Sequence, residues 1–192
     1  MAEQEHLTLP VPDEELMARV GIGDEDALAT LIDRWKNPLI NFFYRSLQSY
    51  EQAEDLAQMV YIRLYRAAPK YLPTAKFSTF LFHISRRLLI NEYRRQKRKP
   101  LDAVDPKDLT GSYSGRTELN VMEIEEAFTS ALEGLPENQK TAILLLKQQE
   151  LSYQEIAEAM EATESAVKTW IFRARKHLKS SLKGLLENEP HR

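Results

Sequence analysis

The chain has 192 residues, of which 43% are hydrophobic and 29% charged, so it can bury one ordinary core or two small ones and is not globally disordered. Its formal net charge is −3 and it has no cysteine, which excludes disulfides and thiolate metal sites. No apolar run approaches the roughly 18 to 20 residues of a membrane span, and residues 1–12 lack the pattern of a secretory signal, so we expect a cytoplasmic protein without membrane insertion.

The first predicted elements are two helices separated by glycines. The pattern predicts a short helix over residues 14–20 with Asp13 as its N-cap. A longer helix follows, with Asp24 as its N-cap. Pro38 lies inside the apolar repeat of this helix, and proline removes a backbone hydrogen bond, so we expect a kink or a break near Asn37.

The third predicted helix has an outer face that mixes acidic and aromatic residues. It begins at the capping box of residues 49–52 and extends to about residue 68. Its buried stripe is expected to contain Ala53, Leu56, Ala57, Val60 and Leu64. Tyr61 and Ile62 fall outside this stripe. They either form a docking surface or pack on a neighbouring helix, and the residue pattern leaves both interpretations open.

The fourth predicted helix, over residues 78–99, is amphipathic and strongly basic. Glu92 opposes seven cations in this stretch, which are Arg86, Arg87, Arg94, Arg95, Lys97, Arg98 and Lys99. A membrane-surface helix has similar features. However, the preceding helices need its apolar face, and the cations concentrate at its far end, so nucleic acid is the favoured partner.

The periodicity stops over residues 100–120, which contain two prolines and two glycines, and it resumes at Val121. We interpret this stretch as a flexible linker. The apolar run of residues 142–146 then supplies the core of a second small domain. The sequence therefore predicts an all-α fold of two small helical domains, over residues 10–99 and 121–185, joined by the linker.

The C-terminal domain contains a helix-turn-helix pattern. A capping box at residues 152–155 begins one helix, and Thr163 is the expected N-cap of a second. The outer face of the second helix carries Lys168, Thr169, Phe172, Arg173 and Lys176. Cations, a hydroxyl and an apolar ring are the groups that contact phosphates and base edges in the major groove. A plain helical hairpin with a solvated basic face is the alternative.

Catalytic chemistry finds little support in the sequence. The four histidines, His6, His83, His177 and His191, are scattered without metal-ligand spacing, and no glycine-rich phosphate loop is present. We therefore expect no catalytic residue, no cofactor and no metal. The basic residues instead form two clusters on an otherwise acidic chain, which indicates DNA contact at two places.

Five segments in order resemble the extracytoplasmic-function (ECF) sigma factors of bacteria, which belong to the sigma-70 family. These segments are residues 53–65 (AEDLAQMVYIRLY), 77–95 (FSTFLFHISRRLLINEYRR), 135–136 (LP), 151–157 (LSYQEIA) and 166–175 (AVKTWIFRAR). The resemblance covers nearly the whole chain. It implies a non-enzymatic factor that binds core RNA polymerase and promoter DNA, and it suggests an anti-sigma factor as a further partner.

The resemblance also implies roles for individual residues. Asp55, Gln58 and Tyr61 would dock on the clamp helices of the largest polymerase subunit, while the second domain would meet the flap of the second subunit. Phe77, with the loop before it, and Arg86, Arg87, Asn91, Arg94 and Arg95 would read and open the minus-ten element. Lys168, Thr169, Phe172, Arg173 and Lys176 would read the minus-thirty-five element.

Four positions depart from the family pattern. Arg87 and Asn91 stand where the family often has Asn and Asp, and Trp170 replaces a frequent Arg. Glu161 replaces a frequent Gly in the turn of the helix-turn-helix, where a side chain at positive φ is disfavoured. We also expect the acidic body and linker to suppress DNA binding by the free protein.

Two other protein classes compete with this interpretation. A stand-alone helix-turn-helix transcriptional regulator would use the same C-terminal pattern. Such regulators usually carry a sensor or receiver domain, and a receiver needs alternating strands and helices, which the N-terminal half does not display. An all-helical adaptor that binds only protein would leave both basic clusters unexplained.

Overall fold

A computed structural model describes residues 10–98 and 116–183, with side chains from residue 124 onward in the second range. These residues form α-helices, one short 3-10 helix and no strand, which confirms the predicted all-α fold. The N-terminal module comprises α1 (Asp13–Gly21), α2 (Glu25–Leu47), α3 (Tyr50–Ala67), the 3-10 helix (Ala68–Lys70) and α4 (Phe77–Arg98). The C-terminal module comprises α5 (Arg116–Glu133), α6 (Glu137–Gln148), α7 (Tyr153–Met160) and α8 (Glu164–Ser181).

Side-chain caps begin most of the predicted helices where the sequence places them. Asp24 accepts a hydrogen bond from the Ala27 backbone N–H at 2.9 Å, and Ser49 accepts one from Gln52 at 3.4 Å. Thr163 caps α8 in the same way, as its hydroxyl accepts from a backbone N–H one turn later. These caps satisfy N–H groups that have no partner inside the helix, which fixes the helix starts.

The first helix begins differently from its prediction. Pro12 is the N-cap of α1 and makes no side-chain cap bond, so the predicted capping role of Asp13 is wrong. The Asp13 carboxylate instead accepts hydrogen bonds from Arg34 at 2.7 Å and from the Trp35 indole at 2.9 Å. Asp13 therefore connects α1 to α2 rather than capping its own helix.

Helix α2 runs without interruption through Pro38, so of the expected kink or break near Asn37 the break is absent, and the kink stays a prediction. An internal proline costs a helix about 3 kcal/mol. Residues on both sides of it are buried, including Leu31, Leu39 and Phe42, each with no exposed surface. Because a break would expose these side chains to water, their burial offsets the cost of the proline.

An aromatic cluster forms the centre of the N-terminal module. Phe82 of α4 lies with its ring centroid 5.3 Å from Phe42 and 6.1 Å from Trp35, both of α2. The edge-to-face arrangements are the ones that aromatic quadrupoles favour. The predicted stripe of α3 packs against the same core, since Ala53, Val60 and Leu64 are fully buried. The three longer helices therefore share one core and present their outer faces to solvent.

Apolar side chains of α6, α7 and α8 pack together in the C-terminal module, and they are continuous with the buried cluster of the N-terminal module. The predicted apolar run is buried from Ala142 to Leu145 on α6 and packs against α7 and α8 through Ile156, Val167 and Ile171. Gly134 follows α5 close to α8, because an added Cβ would lie 2.8 Å from the His177 ring and would require that ring to move. The buried residues of α7 and α8 therefore pack together on α6.

Helix α5 begins at Arg116, five residues before the predicted resumption of the helical pattern at Val121. Residues 116–120 of the predicted linker are therefore helical, and residues 100–115 lie outside the described part of the chain. Among the described residues, no helix combines the length and apolar character needed to cross a membrane.

Candidate functional site

The outer face of α8 carries the five predicted minus-thirty-five residues at the surface. Lys168, Thr169, Phe172, Arg173 and Lys176 are all exposed, and the Phe172 side chain is 69% exposed although it is aromatic. The opposite face is anchored by Val167, Ile171 and Ala174, which are fully buried. The arrangement leaves a cationic surface with a central apolar ring, of the composition that contacts phosphates and base edges.

Two of these residues have partners within α8. The Lys168 ammonium lies 2.7 Å from the Glu164 carboxylate, and the hydrogen bond to Glu164 raises the pKa of Lys168. The Thr169 hydroxyl donates to the Ser165 carbonyl at 3.0 Å. Both contacts are exposed and lie within one turn, so each side chain can exchange its partner for DNA at little cost.

The turn before α8 forms with Glu161 in the left-handed conformation, at φ 51° and ψ 46°. The Ala162 N–H donates to the Ala157 carbonyl at 2.9 Å, which closes the end of α7. The Glu161 backbone therefore adopts the left-handed conformation that the family pattern assigns to Gly, and this conformation is strained for a residue with a Cβ atom. The Glu161 carboxylate accepts a hydrogen bond from Arg87 of α4 at 2.6 Å.

Helix α4 gathers the predicted minus-ten cations along one side. Arg87, Asn91, Arg94 and Arg95 are exposed, whereas Arg86 is partly buried. Burial lowers the pKa of the Arg86 guanidinium, and the nearby Glu161 carboxylate opposes this effect. Near the end of α4, Asn91, Arg94, Arg95 and Arg98 line an open cavity of about 310 Å³. A cationic recess of this kind can hold a phosphate.

The position of the Phe77 ring corrects the role in minus-ten recognition that was predicted for this residue. Phe77 is 1% exposed and lies 5.9 Å from Trp35, so it belongs to the aromatic core and is not accessible to an unstacked base. Its backbone N–H donates to the Glu14 carboxylate at 2.7 Å, which fixes the start of α4. The loop before Phe77 remains the candidate, and its Leu72 side chain is 74% exposed.

Gln58 and Tyr61 of the predicted polymerase face line a groove between α2 and α3, whereas Asp55 lies outside its lining. Asp55 and Gln58 are exposed, as predicted, while Tyr61 is half-buried and its hydroxyl donates to the Ile32 carbonyl at 3.4 Å. Burial raises the pKa of the Tyr61 phenol well above its usual range. Tyr61 therefore packs partly on α2, and Ile62 beside it is 44% exposed.

This groove has a volume of about 480 Å³ and draws on residues that sequence reasoning did not select. Its lining is Ile32, Lys36, Ile40, Glu54, Ala57, Gln58, Tyr61 and Ile62. The contributions of Ile32, Lys36 and Ile40 were missed because they come from α2. Ile32 and Ile40 belong to the apolar repeat of α2, but the repeat carried no signal that part of this face remains open, and Lys36 lies outside the repeat.

The two modules contact each other, which the sequence did not predict. Lys140 of α6 is buried between them, and its ammonium donates to the Ser46 carbonyl at 3.4 Å. Burial lowers the pKa of this ammonium. The Arg45 guanidinium of α2 lies over the Phe128 ring of α5, 5.3 Å from the centroid. Within the part of the chain that the structure describes, no cluster of acidic or histidine side chains could hold a metal ion.

Comparison with known families assigns both modules. A profile described as Sigma-70 region 2 matches residues 31–99, and a profile described as Sigma-70, region 4 matches residues 125–178. The ECF RNA polymerase sigma factor SigW of Bacillus subtilis is 34% identical over 184 residues, covering 85% of this chain and 92% of the relative. The ECF RNA polymerase sigma-E factor of Haemophilus influenzae is 30% identical over 196 residues, covering 97% of this chain and all of the relative.

The fold also matches a solved structure. The sigma factor RpoE from Bartonella quintana, solved in complex with the anti-sigma factor NepR, superposes with a TM-score of 0.64 at 20% identity. The match covers 81% of this chain and 96% of that chain, so the helical architecture is shared. With the sequence relatives at 30% and 34% identity, the conclusion is that the chain belongs to the ECF RNA polymerase sigma factors, which direct RNA polymerase to promoters.

Proposed function

We propose that this sigma factor divides transcription initiation among three separate surfaces. The groove between α2 and α3 docks on core RNA polymerase, the basic side of α4 with its preceding loop opens the minus-ten element, and α8 reads the minus-thirty-five element. The observation that carries this proposal is the exposed outer face of α8, where five side chains suited to DNA lie opposite a fully buried anchor.

Polymerase docking is assigned to Asp55, Gln58 and the exposed edge of Tyr61. The groove beside them combines apolar walls with polar groups at its rim, which is the composition of a helix-binding groove. We propose that clamp helices of the largest subunit occupy it. Ile62 adds an apolar contact at the rim, where burial on binding would contribute to affinity.

Promoter opening is assigned to the loop over residues 71–76 and to Arg86, Arg87, Asn91, Arg94 and Arg95. An unstacked base costs a few kcal/mol, which stacking and phosphate contacts can return. Leu72 offers an exposed apolar surface in the loop. The α4 guanidiniums supply phosphate contacts that are independent of base identity.

Recognition of the minus-thirty-five element is assigned to Lys168, Thr169, Phe172, Arg173 and Lys176. Two weak DNA sites on one chain bind as a tethered pair, because the first contact raises the effective concentration of the second. We propose that the segment between the modules sets the spacing of the two elements. The protein would act in the cytoplasm within the polymerase holoenzyme.

An anti-sigma factor is proposed as the partner that holds this protein inactive. The proposal rests on family membership and on the Bartonella quintana sigma factor, whose structure was solved with an anti-sigma factor. The flap of the second polymerase subunit is the proposed partner of the C-terminal module.

The docking assignment is tested with the double variant Asp55→Ala/Gln58→Ala and a matched control, Glu15→Ala/Asn41→Ala. The control also removes one acid and one amide, from exposed positions of α1 and α2. Binding to purified bacterial core polymerase is measured by fluorescence anisotropy of labelled protein. We expect the first variant to bind at least tenfold more weakly, a loss of about 1.4 kcal/mol in binding free energy. The control should bind as tightly as the wild type. Equal binding by both would contradict the docking assignment.

A further inference from the structure

The loop over residues 71–76, which is assigned to promoter opening, has an exposed tip between two buried flanks. Residues 72–74 at the tip are all exposed, whereas Ala68 before the loop is 4% exposed and Phe77 after it is 1% exposed. Because no side chain of the tip is buried, the flanks determine where the tip lies. Both flanks contact α1.

Gly21, the last residue of α1, lies against the backbone of the 3-10 helix that precedes the loop. A Cβ added to Gly21 would lie 2.7 Å from the carbonyl oxygen of Ala68 and 3.2 Å from the carbonyl carbon. These neighbours are backbone atoms, so they cannot turn aside as a flexible side chain would. The same carbonyl oxygen accepts a hydrogen bond from the Tyr71 N–H at 3.1 Å. The close approach of Gly21 therefore fixes the point from which the loop departs.

Glu14, in the first turn of α1, holds the other end of the loop. Its carboxylate accepts a hydrogen bond of 2.7 Å from the backbone N–H of Phe77, the first residue of α4. The first N–H groups of a helix have no partner inside it, and the positive end of the helix dipole favours a nearby carboxylate. Glu14 therefore caps α4 although it belongs to another helix, and it ties the end of the loop to α1.

The Tyr71 side chain adds a contact between these two anchors. Its ring centroid lies 5.2 Å from that of Phe80 on α4. Burial raises the pKa of the Tyr71 phenol, and the nearby charges of Glu14 and Asp13 act in the same direction. The first residue of the loop is thus packed between α4 and the first turn of α1.

The spacing of the anchors makes the loop project from the protein. Along α1, Glu14 and Gly21 are about 10 Å apart, since a helix rises about 1.5 Å per residue. A chain as long as residues 68–77 can extend about 30 Å. The segment must therefore arch away from α1, and the arch presents its tip to solvent.

We propose that α1 positions the loop for promoter opening and that Glu14 and Gly21 are its positioning residues. This inference rests on the proposed role of the loop in opening the minus-ten element. A loop that is already held in place loses less conformational freedom when it captures an unstacked base, so opening is faster. Neither residue needs to touch DNA, because both act through the loop.

The hold on the loop is measured first in the full chain without polymerase. The chain contains no cysteine, so a nitroxide on Thr74→Cys, at the exposed tip, labels the loop alone. This label is combined with Glu14→Ala or with Gly21→Ala. The control is Glu15→Ala, which removes an exposed acid from the same turn of α1. Electron paramagnetic resonance reports how fast the nitroxide tumbles.

We expect the nitroxide to tumble at least about twofold faster in Glu14→Ala and in Gly21→Ala than in the control. Glu14→Gln keeps an oxygen that can accept from the Phe77 N–H, so its mobility should stay close to that of the control. Gly21→Ala guards against a folding defect, since alanine favours a helix more than glycine does. No variant changes Lys76 or Glu155, which also pair with each other.

Promoter opening is then measured with core polymerase and the unlabelled variants. The template is a promoter fragment on which the wild-type protein produces a start site, and permanganate reactivity of minus-ten thymines is followed over time. We expect Glu14→Ala and Gly21→Ala to open it about two- to tenfold more slowly than the control. Glu14→Gln should open it at nearly the control rate. Affinity for core polymerase and for the minus-thirty-five element should match the control, whereas a general folding defect would weaken all of these activities together.

Two outcomes would overturn the inference. Equal nitroxide mobility in Glu14→Ala, Gly21→Ala and the control would mean that α1 does not hold the loop. Faster tumbling with opening at the control rate would mean that the hold does not serve promoter opening. Absence of opening with the wild-type protein would instead refute the sigma-factor assignments on which the inference rests, and the mobility measurement would be unaffected.

Discussion

The Glu155 carboxylate pairs with the Lys76 ammonium at 2.7 Å, and its second oxygen accepts a hydrogen bond from the Ser152 backbone N–H at 2.7 Å. Lys76 precedes α4, and Glu155 lies in the first turn of α7. The hydrogen bond from Lys76, followed by that from the Ser152 backbone, lowers the pKa of Glu155 from 4.5 to about 2. One carboxylate thus completes a capping box and joins the two modules.

Acid should weaken this junction over a defined range. Because the folded-state pKa of Glu155 is lowered, its contribution to stability is present above about pH 4.5 and is lost as the pH falls toward about 2. We expect carboxyl-detected NMR to place the Glu155 midpoint near pH 2 in the wild type. Lys76→Met should raise this midpoint, while Lys70→Met should not. A wild-type midpoint at the usual value would contradict the contact.

The cap of α7 should make a measurable contribution to stability. Ser152→Ala removes the hydroxyl that accepts from the Glu155 backbone N–H at 3.2 Å. We expect the free energy of unfolding to fall by about 1 kcal/mol, as for other N-cap serines. Urea denaturation measures the change, with the exposed Ser180→Ala on α8 as the control. A loss no larger than in the control would show that the box does not stabilise α7.

Truncating two apolar residues near the start of α4 should have different effects: the change at Phe77 should lower stability, and the change at Leu72 should lower promoter opening. Phe77→Ala removes a buried ring and should destabilise the protein by about 3–5 kcal/mol in urea. Leu72→Ala alters an exposed side chain and should change stability by less than about 0.5 kcal/mol. We expect Leu72→Ala to reduce promoter opening, measured by permanganate reactivity of unpaired thymines. Normal opening in this variant would remove Leu72 from the minus-ten site.

Arg173 should distinguish DNA recognition from polymerase binding. Its exposed guanidinium lies on the outer face of α8, which we propose reads the minus-thirty-five element, so Arg173→Ala should weaken minus-thirty-five binding by about 1–3 kcal/mol. Competition with promoter fragments carrying a changed minus-thirty-five element measures this loss, and core polymerase affinity should stay unchanged. Lys179→Ala, farther along α8, is the control. If Arg173→Ala bound polymerase more weakly as well, altered folding would be the explanation.

Local signals predicted much of the fold correctly. The caps at Asp24, Ser152 and Thr163 depend on residues three positions apart, so a short stretch of sequence contains the whole interaction. The same reason explains why the outer face of α8 was predicted correctly as exposed. Its exposed and buried residues alternate at helical spacing, and the core that they face is built by neighbouring helices of the same module.

Contacts between distant residues were not predictable in the same way. Asp13 resembles an N-cap, but its partners Arg34 and Trp35 lie on another helix. Arg87 and Glu161 are 74 positions apart, and no periodicity links them. The local rule that a proline ends a helix fails at Pro38, because buried residues on both sides of it keep α2 continuous. Tertiary packing decides each of these cases, and one sequence does not encode it as a pattern.

The division of initiation among three surfaces is tested most directly by run-off transcription. Purified bacterial core polymerase is supplied with promoter fragments from the source genome and with wild-type protein, Asp55→Ala/Gln58→Ala or Arg173→Ala. We predict start sites that depend on the wild-type protein and share two spaced elements, and both variants should lose these transcripts. Sequence-specific DNA binding by the protein alone, without any dependent transcript, would contradict the account.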